Sequence, residues 1–345
     1  EPIFTYFREH NYTILKRSEV LGLVTRQKKA LCVAGTHGKT STSTMIAHIF
    51  TQAGTGCSAF LGGISKNYHT NLLLSKSRIL VAEADEFDRS FLQLFPDVAI
   101  ITATDADHLD IYGTHEKLLE AYAEFASQVK NTGHLIVKKG VRLDKGNVGA
   151  RIWSYGVDGP ADFYAENLKL RDGGYYEFTF RHPAGEIHAC TLGVPGIIQV
   201  ENGIAAAAAA ILGGISPVKA WEALSSFKGA ERRLDVHVNR ADKVYVDDYA
   251  HHPTEIAATL KAARECQHET LWCVFQPHTY TRTIALFDEF ADSFEKADKL
   301  ILAEIYAATV VSRIPRKKPP TTAPGSDPSP PITLAMNALL EIEPI

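Results

Sequence analysis

The sequence predicts an α/β protein: a mostly parallel sheet, a small antiparallel layer, and a second α/β domain behind them. Three observations carry this. Apolar runs of strand length alternate with segments of helical spacing from residue 30 to 138, which calls for crossover helices between parallel strands. Between about 150 and 193 the pattern changes to strand-like segments joined by Gly and Pro turns. Strand and helix patterns alternate again from about 235. A length of 345 residues fits two domains better than one.

Taken in order, residues 1–26 are short of pattern, and "VLGLVTRQ" reads as the end of a helix that needs a surface to pack on. "ALCVAG" (30–35) is a strand and 39–52 a helix. "RILVAEA" (78–84) and "DVAIITAT" (97–104) are strand-length apolar runs. "HEKLLEAYAEFASQVK" (115–130) puts Leu118, Leu119, Tyr122 and Phe125 on one helical side, and "HLIVK" (134–138) follows as a strand. "DFYAENLKL", "GYYEFTFRH" and "EIHACTLGV" make the antiparallel layer. The Ala-rich 203–212 and "SPVKAWEALSSF" (216–227) return to helix, with Ser216 as N-cap and Pro217 in the first helical position. In the second series "KVYVDDYA" is a strand with a loop, 253–265 a helix, "TLWCVFQP" a strand, 283–297 a helix and "KLILAEIY" a strand, which sets a boundary near 233. The Pro-rich 313–331 reads as linker or disordered segment, and "ITLAMNALLEIE" after it as one short helix.

Composition narrows the function classes. Hydrophobic residues make up 45%, enough for a sizeable core, and the net charge of −4 gives no support for a nucleic-acid partner. The five cysteines (Cys32, Cys57, Cys190, Cys266, Cys273) have irregular spacings without a C-x-x-C pair, so they read as buried apolar residues in a reducing compartment. No signal peptide is evident, and the longest apolar run, "IAAAAAAIL" (204–212), is far short of a membrane span. The expected location is the cytoplasm.

The chemistry concentrates in "LCVAGTHGKTSTSTM" (31–45). An apolar strand, a tight Gly turn and Lys-Thr opening a helix form the layout a phosphate needs. Amides at a helix start are unpaired, and the helix dipole adds positive charge. Gly35 and Gly38 let the backbone approach phosphate oxygens, Lys39 reaches the β- and γ-phosphates, and the Thr40 hydroxyl suits Mg²⁺. Val33 stands where the usual pattern has its first glycine, so the loop is the shorter "GTHGKTS". Two acidic stretches, "VAEADEFD" (81–88) and "TATDADHLD" (102–110), also follow strands. Ligands of open α/β sheets bind at the carboxyl ends of strands, so Lys39, Thr40, Glu83 and His108 should share one region. Glu83 is the first choice for a Mg²⁺ carboxylate and His108 a second ligand. Asp85, Glu86, Asp88, Asp105, Asp107 and Asp110 are expected to be mostly solvated loop acids.

"GTHGKTS", "EADEFDRSFLQLFPDVAIIT", "DADHLDIYG", "ERRLDVH", "VDDYAHHPTEI" and "FQPHTYTRT" occur in this order. Together they resemble the Mur ligases of bacterial cell-wall synthesis, and within them the alanine-adding branch, over roughly 25 to 308. The resemblance implies an N-terminal UDP-binding domain, a central P-loop-type ATPase and a C-terminal, Rossmann-like amino-acid-binding domain. It also implies amide formation through an acyl phosphate, with ATP, Mg²⁺, UDP-N-acetylmuramate and L-alanine as the small molecules. Gly35, Thr36, His37, Gly38, Lys39, Thr40 and Ser41 then form the ATP loop, Lys39, Glu83 and His108 are catalytic, and Thr40, Glu83 and His108 hold the metal. In "VPGIIQVEN" the family's His-Asn pair is replaced by Ile198 and Gln199, while Asn202 keeps the last position and is the better nucleotide contact. Arg232 or Arg233, together with Asp248, match a basic residue and a nucleotide-side acid; spacing does not separate the arginines. His251, His252, His278 and Arg282 are candidates for the amino acid, an arginine suiting its carboxylate through paired hydrogen bonds. Thr279 stands where many relatives carry a basic residue. The alternative for His251 and His252 is a polar turn before the helix opening at Pro253.

The implied domains are 1–26, a remnant of the UDP-binding domain; 27–233, the ATP-binding domain; and 234–345, an incomplete amino-acid-binding domain with an atypical Pro-rich tail at 309–345. The match is expected to stop past Ala308. Two readings stay open: the ligase, and a truncated nucleotide-binding module or ATPase that does not ligate.

Overall fold

The computed structural model describes residues 2–157, 159–240, 243–266, 269–306 and 331–336. It divides into two compact units: Glu1–Leu168 with Glu177–Gly193 and Gln199–Lys228, and Lys169–Tyr176 with Val194–Ile198 and Gly229–Ile345.

In chain order the elements up to residue 228 are α1 (Pro2–Glu9), α2 (Arg17–Gln27), β1 (Lys29–Ala34), α3 (Lys39–Gln52), β2 (Ser58–Ser65), β3 (Thr70–Leu73), β4 (Ile79–Glu83), β5 (Val98–Ile101), α4 (Leu109–Tyr112), α5 (His115–Ser127), β6 (His134–Lys138), β7 (Arg151–Gly156), β8 (Phe163–Arg171), β9 (Tyr175–His182), β10 (Gly185–Thr191), α6 (Ile197–Gly213) and α7 (Pro217–Ser225). The strands form one sheet in the order β10-β9-β8-β7-β6-β5-β1-β4-β2-β3. β1 pairs in parallel with β4 and β5, and β5 with β6. Residues 30–34 of β1, "ALCVA", are at most 1% exposed. A strand covered on both faces reads as a continuous apolar run, which is why β1, β4, β5 and β6 stand out in the sequence.

The antiparallel strands continue the edge of this sheet through the parallel pair β7–β8, rather than standing as a separate layer. One face of the central strands packs on α5, where Leu118, Tyr122 and Phe125 are fully buried, together with Phe91. Leu119, placed on the same side by its spacing, is half-buried. Ser216 accepts from the Lys219 amide at 3.4 Å, with Pro217 opening α7.

The remaining elements are β11 (Asp235–Arg240), β12 (Lys243–Asp248), α8 (Pro253–Arg264), β13 (Thr270–Phe275), α9 (Tyr280–Ala285), α10 (Phe287–Ser293), β14 (Lys299–Leu302) and β15 (Pro331–Met336). Their sheet runs β11-β12-β15-β13-β14, with β15 parallel to β12 and β13. Two expectations change here. The helix over 283–297 is broken, because Leu286 (φ −121°, ψ 33°) leaves helical geometry between α9 and α10. The start of "ITLAMNALLEIE", expected as helix, is strand: slotting between β12 and β13 gives its backbone two ladders, which overrides weak local preference. The segment 313–330 lies outside the described residues. Among the described residues no helix is long and apolar enough to cross a membrane.

Candidate active site

The loop after β1 is shaped by its glycines. Gly35 has φ 130°, and a Cβ there would stand 2.1 Å from Thr102 Oγ1 and 2.8 Å from the Ala103 amide nitrogen. Only glycine lets the turn lie this close to the end of β5. Gly38 (φ 80°) occupies the N-cap of α3 and brings no side chain to cap it, so the helix start keeps its anion-binding character. Thr36 donates its amide to Ala103 O at 3.1 Å and accepts from the Asp105 amide at 3.2 Å. His37 Nε2 lies 2.9 Å from Asp105 Oδ2. Thr40 and Ser41 are buried in the first turn of α3. Asn202, on α6, sits against the loop: a Cβ on Gly38 would be 2.7 Å from its Oδ1. Its amide donates to Gln199 Oε1 at 3.3 Å, and its Oδ1 accepts from the Thr42 hydroxyl at 3.4 Å. Gln199 thus lies beside the loop through Asn202.

Lys39 Nζ donates to Gly35 O and to both carboxylate oxygens of Glu86, each at 2.8 Å. Burial alone would depress this ammonium, but Glu86, Glu83 and Asp85 outweigh it and hold its pKa above the ordinary lysine value. Glu86 was expected among the solvated loop acids, yet it is completely buried, and Asp107 is only 6% exposed. Burial follows from the tertiary course of the chain, which the local sequence does not encode. Asp85 and Asp105 are half-buried, and Asp88 and Asp110 are exposed.

Glu83 ends β4 and accepts from the Gly62 amide at 3.1 Å. A Cβ at Gly62 would stand 2.2 Å from its Oε2, and one at Gly63 3.0 Å from Thr40 Cγ2. These two glycines of β2 therefore clear the space beside the Glu83 carboxylate and the Thr40 side chain. A cavity of about 260 Å³ opens next to Glu83, lined also by Lys16, Arg17, Asp85 and Phe87. His108, in the left-handed region at φ 52°, stands 4.0 Å from Glu86 Oε1 and 3.8 Å from Asp107 Oδ2 through Nε2. Among the described residues no three His, Cys, Asp or Glu side chains form a metal cage. Mg²⁺ does not need one, because it keeps waters and phosphate oxygens beside one or two carboxylates. A hydroxyl, a carboxylate and cleared space fit it.

In the second unit the candidates gather where β12, β13 and β14 end. Asp248 is buried and accepts from the amides of Leu234 (2.8 Å) and Ala250 (2.7 Å). Burial pushes its pKa up to about 6, against the pull of Arg233. Arg232 and Arg233 both stack over Tyr249, at 4.8 and 5.4 Å. Arg232 turns to Asp247 (3.5 Å), and Arg233 is the arginine whose charge Asp248 senses most. His251 Nδ1 lies 2.8 Å from Tyr249 O, and its ring is 6.1 Å from that of His278, which stacks on Tyr306 at 5.6 Å. His252 is buried and caps α8 by accepting from the Thr254 amide at 3.3 Å. Thr279 caps α9 by accepting from the amide of Arg282, which lies in the first turn and is half-buried.

Sequence reasoning missed Glu86, Thr102, Gly62, Gly63 and Tyr306. Thr102, within reach of the carbonyls of Ala34 (3.2 Å) and His37, ties β5 to the loop. The "GG" inside an apolar segment was the one local signal, since glycine in a strand marks close approach.

The Mur ligase middle domain model matches residues 33–210, and the model of the Mur ligase glutamate ligase domain matches 232–324. The likeness therefore runs past Ala308, where it was expected to stop. The UDP-N-acetylmuramate–L-alanine ligases of Phocaeicola vulgatus and Porphyromonas gingivalis are 48% and 44% identical to this chain, over 88% of it and 67% of their own length. The chain thus spans about two thirds of these relatives. The crystal structure of UDP-N-acetylmuramate–alanine ligase from Thermotoga maritima superposes with a TM-score of 0.76 at 24% identity, covering 97% of this chain and 78% of that one. A murein peptide ligase from Psychrobacter arcticus gives 0.61 at 20% identity, over 98% and 80%. At these identities the structural likeness speaks for the fold.

Proposed function

This chain belongs to the Mur ligase family, and we propose that it carries the ATP-dependent step joining L-alanine to UDP-N-acetylmuramate in peptidoglycan synthesis. The observation that supports this best is the meeting of Lys39, the uncapped start of α3, Glu83 and His108 at neighbouring strand ends, in a chain 48% identical to an alanine ligase. A carboxylate repels the γ-phosphate, so cations and aligned amides must first neutralise the approach. Lys39 and the amides of 35–41 do this on the phosphate side. A carboxylate oxygen of the sugar nucleotide then attacks the γ-phosphorus, the bond to the β-phosphate oxygen breaks, and ADP leaves. The amine of alanine attacks the resulting acyl phosphate, loses a proton, and inorganic phosphate departs.

Thr40 and Glu83, with His108, would hold Mg²⁺, which when bound supplies charge neutralisation between the phosphates. Asn202 supports the loop from α6. In the second unit we assign Arg233 and Asp248 to the nucleotide side. There His251, His278 and Arg282 go to the amino acid, the arginine by its fork of donors. His252 is a helix cap. A reaction that draws on ATP fits a cytoplasmic location, which belongs to the same proposal.

The test mixes the protein with ATP, Mg²⁺, UDP-N-acetylmuramate and L-alanine and follows phosphate release, omitting each component in turn. Release that requires both substrates is the expected result. Release indifferent to them identifies a bare ATPase, and no release with ATP still bound identifies a module that only binds.

A further inference from the structure

Glu86 belongs to none of the roles assigned above, yet it makes the closest charged contacts in the site. Its side chain is 1% exposed and takes two of the three donors of the Lys39 ammonium at 2.8 Å. Its backbone is pinned as well. Glu86 O accepts from the Tyr112 hydroxyl at 2.6 Å and from the Arg89 amide at 3.0 Å, using both lone pairs. The carboxylate also faces His108 Nε2 at 4.0 Å. A buried carboxylate so placed is not a solvated loop acid, and in the structure it does not serve as a helix cap.

We propose that Glu86 is the positioning residue of the phosphate-loop lysine, fixing the height and direction of the Lys39 ammonium relative to the loop and to His108. The inference rests on the reading of 35–41 as a nucleotide loop. The physical logic is one of competition and aim. An ammonium on a flexible four-carbon stem has no preferred direction of its own. Two hydrogen bonds from a buried, pinned carboxylate supply that direction, with Gly35 O holding the third donor. A phosphate must share the ammonium with Glu86, so the carboxylate weakens ground-state binding while keeping the charge where the transferring phosphoryl group needs it.

The predicted signature is a split between binding and turnover. In Glu86→Gln, kcat for substrate-dependent phosphate release should fall at least tenfold. KM for ATP, and Kd for the non-hydrolysable analogue AMP-PNP with Mg²⁺, should stay level or drop. Glu86→Asp keeps the charge with one methylene less. It should fold and lose roughly three- to tenfold in kcat at nearly unchanged KM, and it carries the test if the Gln variant does not fold. A kcat within twofold of the parent in a folded variant overturns the proposal. A more than threefold weakening of AMP-PNP binding does so too. So does a tenfold shift in the Mg²⁺ midpoint, which would make Glu86 a metal ligand. If the parent releases no phosphate with any substrate, the ligase reading fails separately, and the AMP-PNP titration still decides the role of Glu86.

Discussion

Lys39 and Glu86 share a buried ion pair, their side chains 13% and 1% exposed. Removing one partner strands the other charge out of water, which typically costs about 3–5 kcal/mol. Lys39→Ala is therefore not a silent probe of phosphate binding, since it loses stability as well as turnover. The expected result is a fall of about 3–5 kcal/mol in unfolding free energy for Lys39→Ala, read from the denaturant midpoint. Most of it should return in the double variant Lys39→Met/Glu86→Gln, which exchanges the pair for neutral groups. Neither variant should turn over nucleotide. If the double variant is as unstable as the single one, the pair is not what the alanine disrupts. Lys39 was legible because Gly-Lys-Thr behind a strand has one common use. Glu86 was not, because three neighbouring acids, Glu83, Asp85 and Asp88, share its stretch and only tertiary burial distinguishes it.

α3 shows what an element adds to its residues. Its sequence, "KTSTSTMIAHIFTQ", has no polar face, and Thr40 through Phe50 are all buried. Two of the buried hydroxyls, Ser43 and Thr44, bond back along the helix to Thr40 O, as the half-buried Thr51 does to Ala47 O. His48 ties the helix sideways, with Nδ1 2.9 Å from the Tyr68 hydroxyl and Nε2 3.0 Å from both Ala223 O and Ser226 Oγ. Burial lowers its pKa below the usual 6.5, against the pull of the Ala223 carbonyl. In the unfolded chain the same imidazole takes a proton more readily. Its contribution is therefore whole above about pH 6.5 and is lost as pH falls through the folded value. The Tm should drop between pH 7 and pH 5, and His48→Gln should flatten that drop while lowering Tm at pH 7. Parallel curves for parent and variant would remove His48 as the source. At this scale the sequence served well where an element was buried on both sides, as in β1, β4, β5 and β6. It failed at β2, β3, β7 and β11, whose patterns are short or interrupted by Gly, and at β15, whose strand state comes from its two neighbours rather than from its own residues.

At the scale of the whole molecule, protection should follow sheet position in each unit. β1 lies between β4 and β5 with residues 30–34 at most 1% exposed, whereas β3 and β10 are the edges of their sheet. In the second sheet β13 lies between β15 and β14, and β14 is an edge with Leu300, Ile301 and Leu302 40–61% exposed. Amides of β1 and β13 can exchange only through large openings, while edge amides need only local ones. Hydrogen exchange should therefore be slowest at 30–34 and 271–275 and fastest among strands at 70–73, 185–191 and 299–302. Adding ATP with Mg²⁺ stabilises the states that bind it, by about 2.7 kcal/mol at a hundredfold excess over Kd. Exchange in the first unit should slow most where the nucleotide is expected to sit: the amides of 35–41 and the strand-end stretches 83–86 and 102–108. Slowing spread evenly over that unit, with no excess at 35–41, would mean that the nucleotide stabilises the fold without touching the loop, and the assignment of the glycine turn would have to be abandoned.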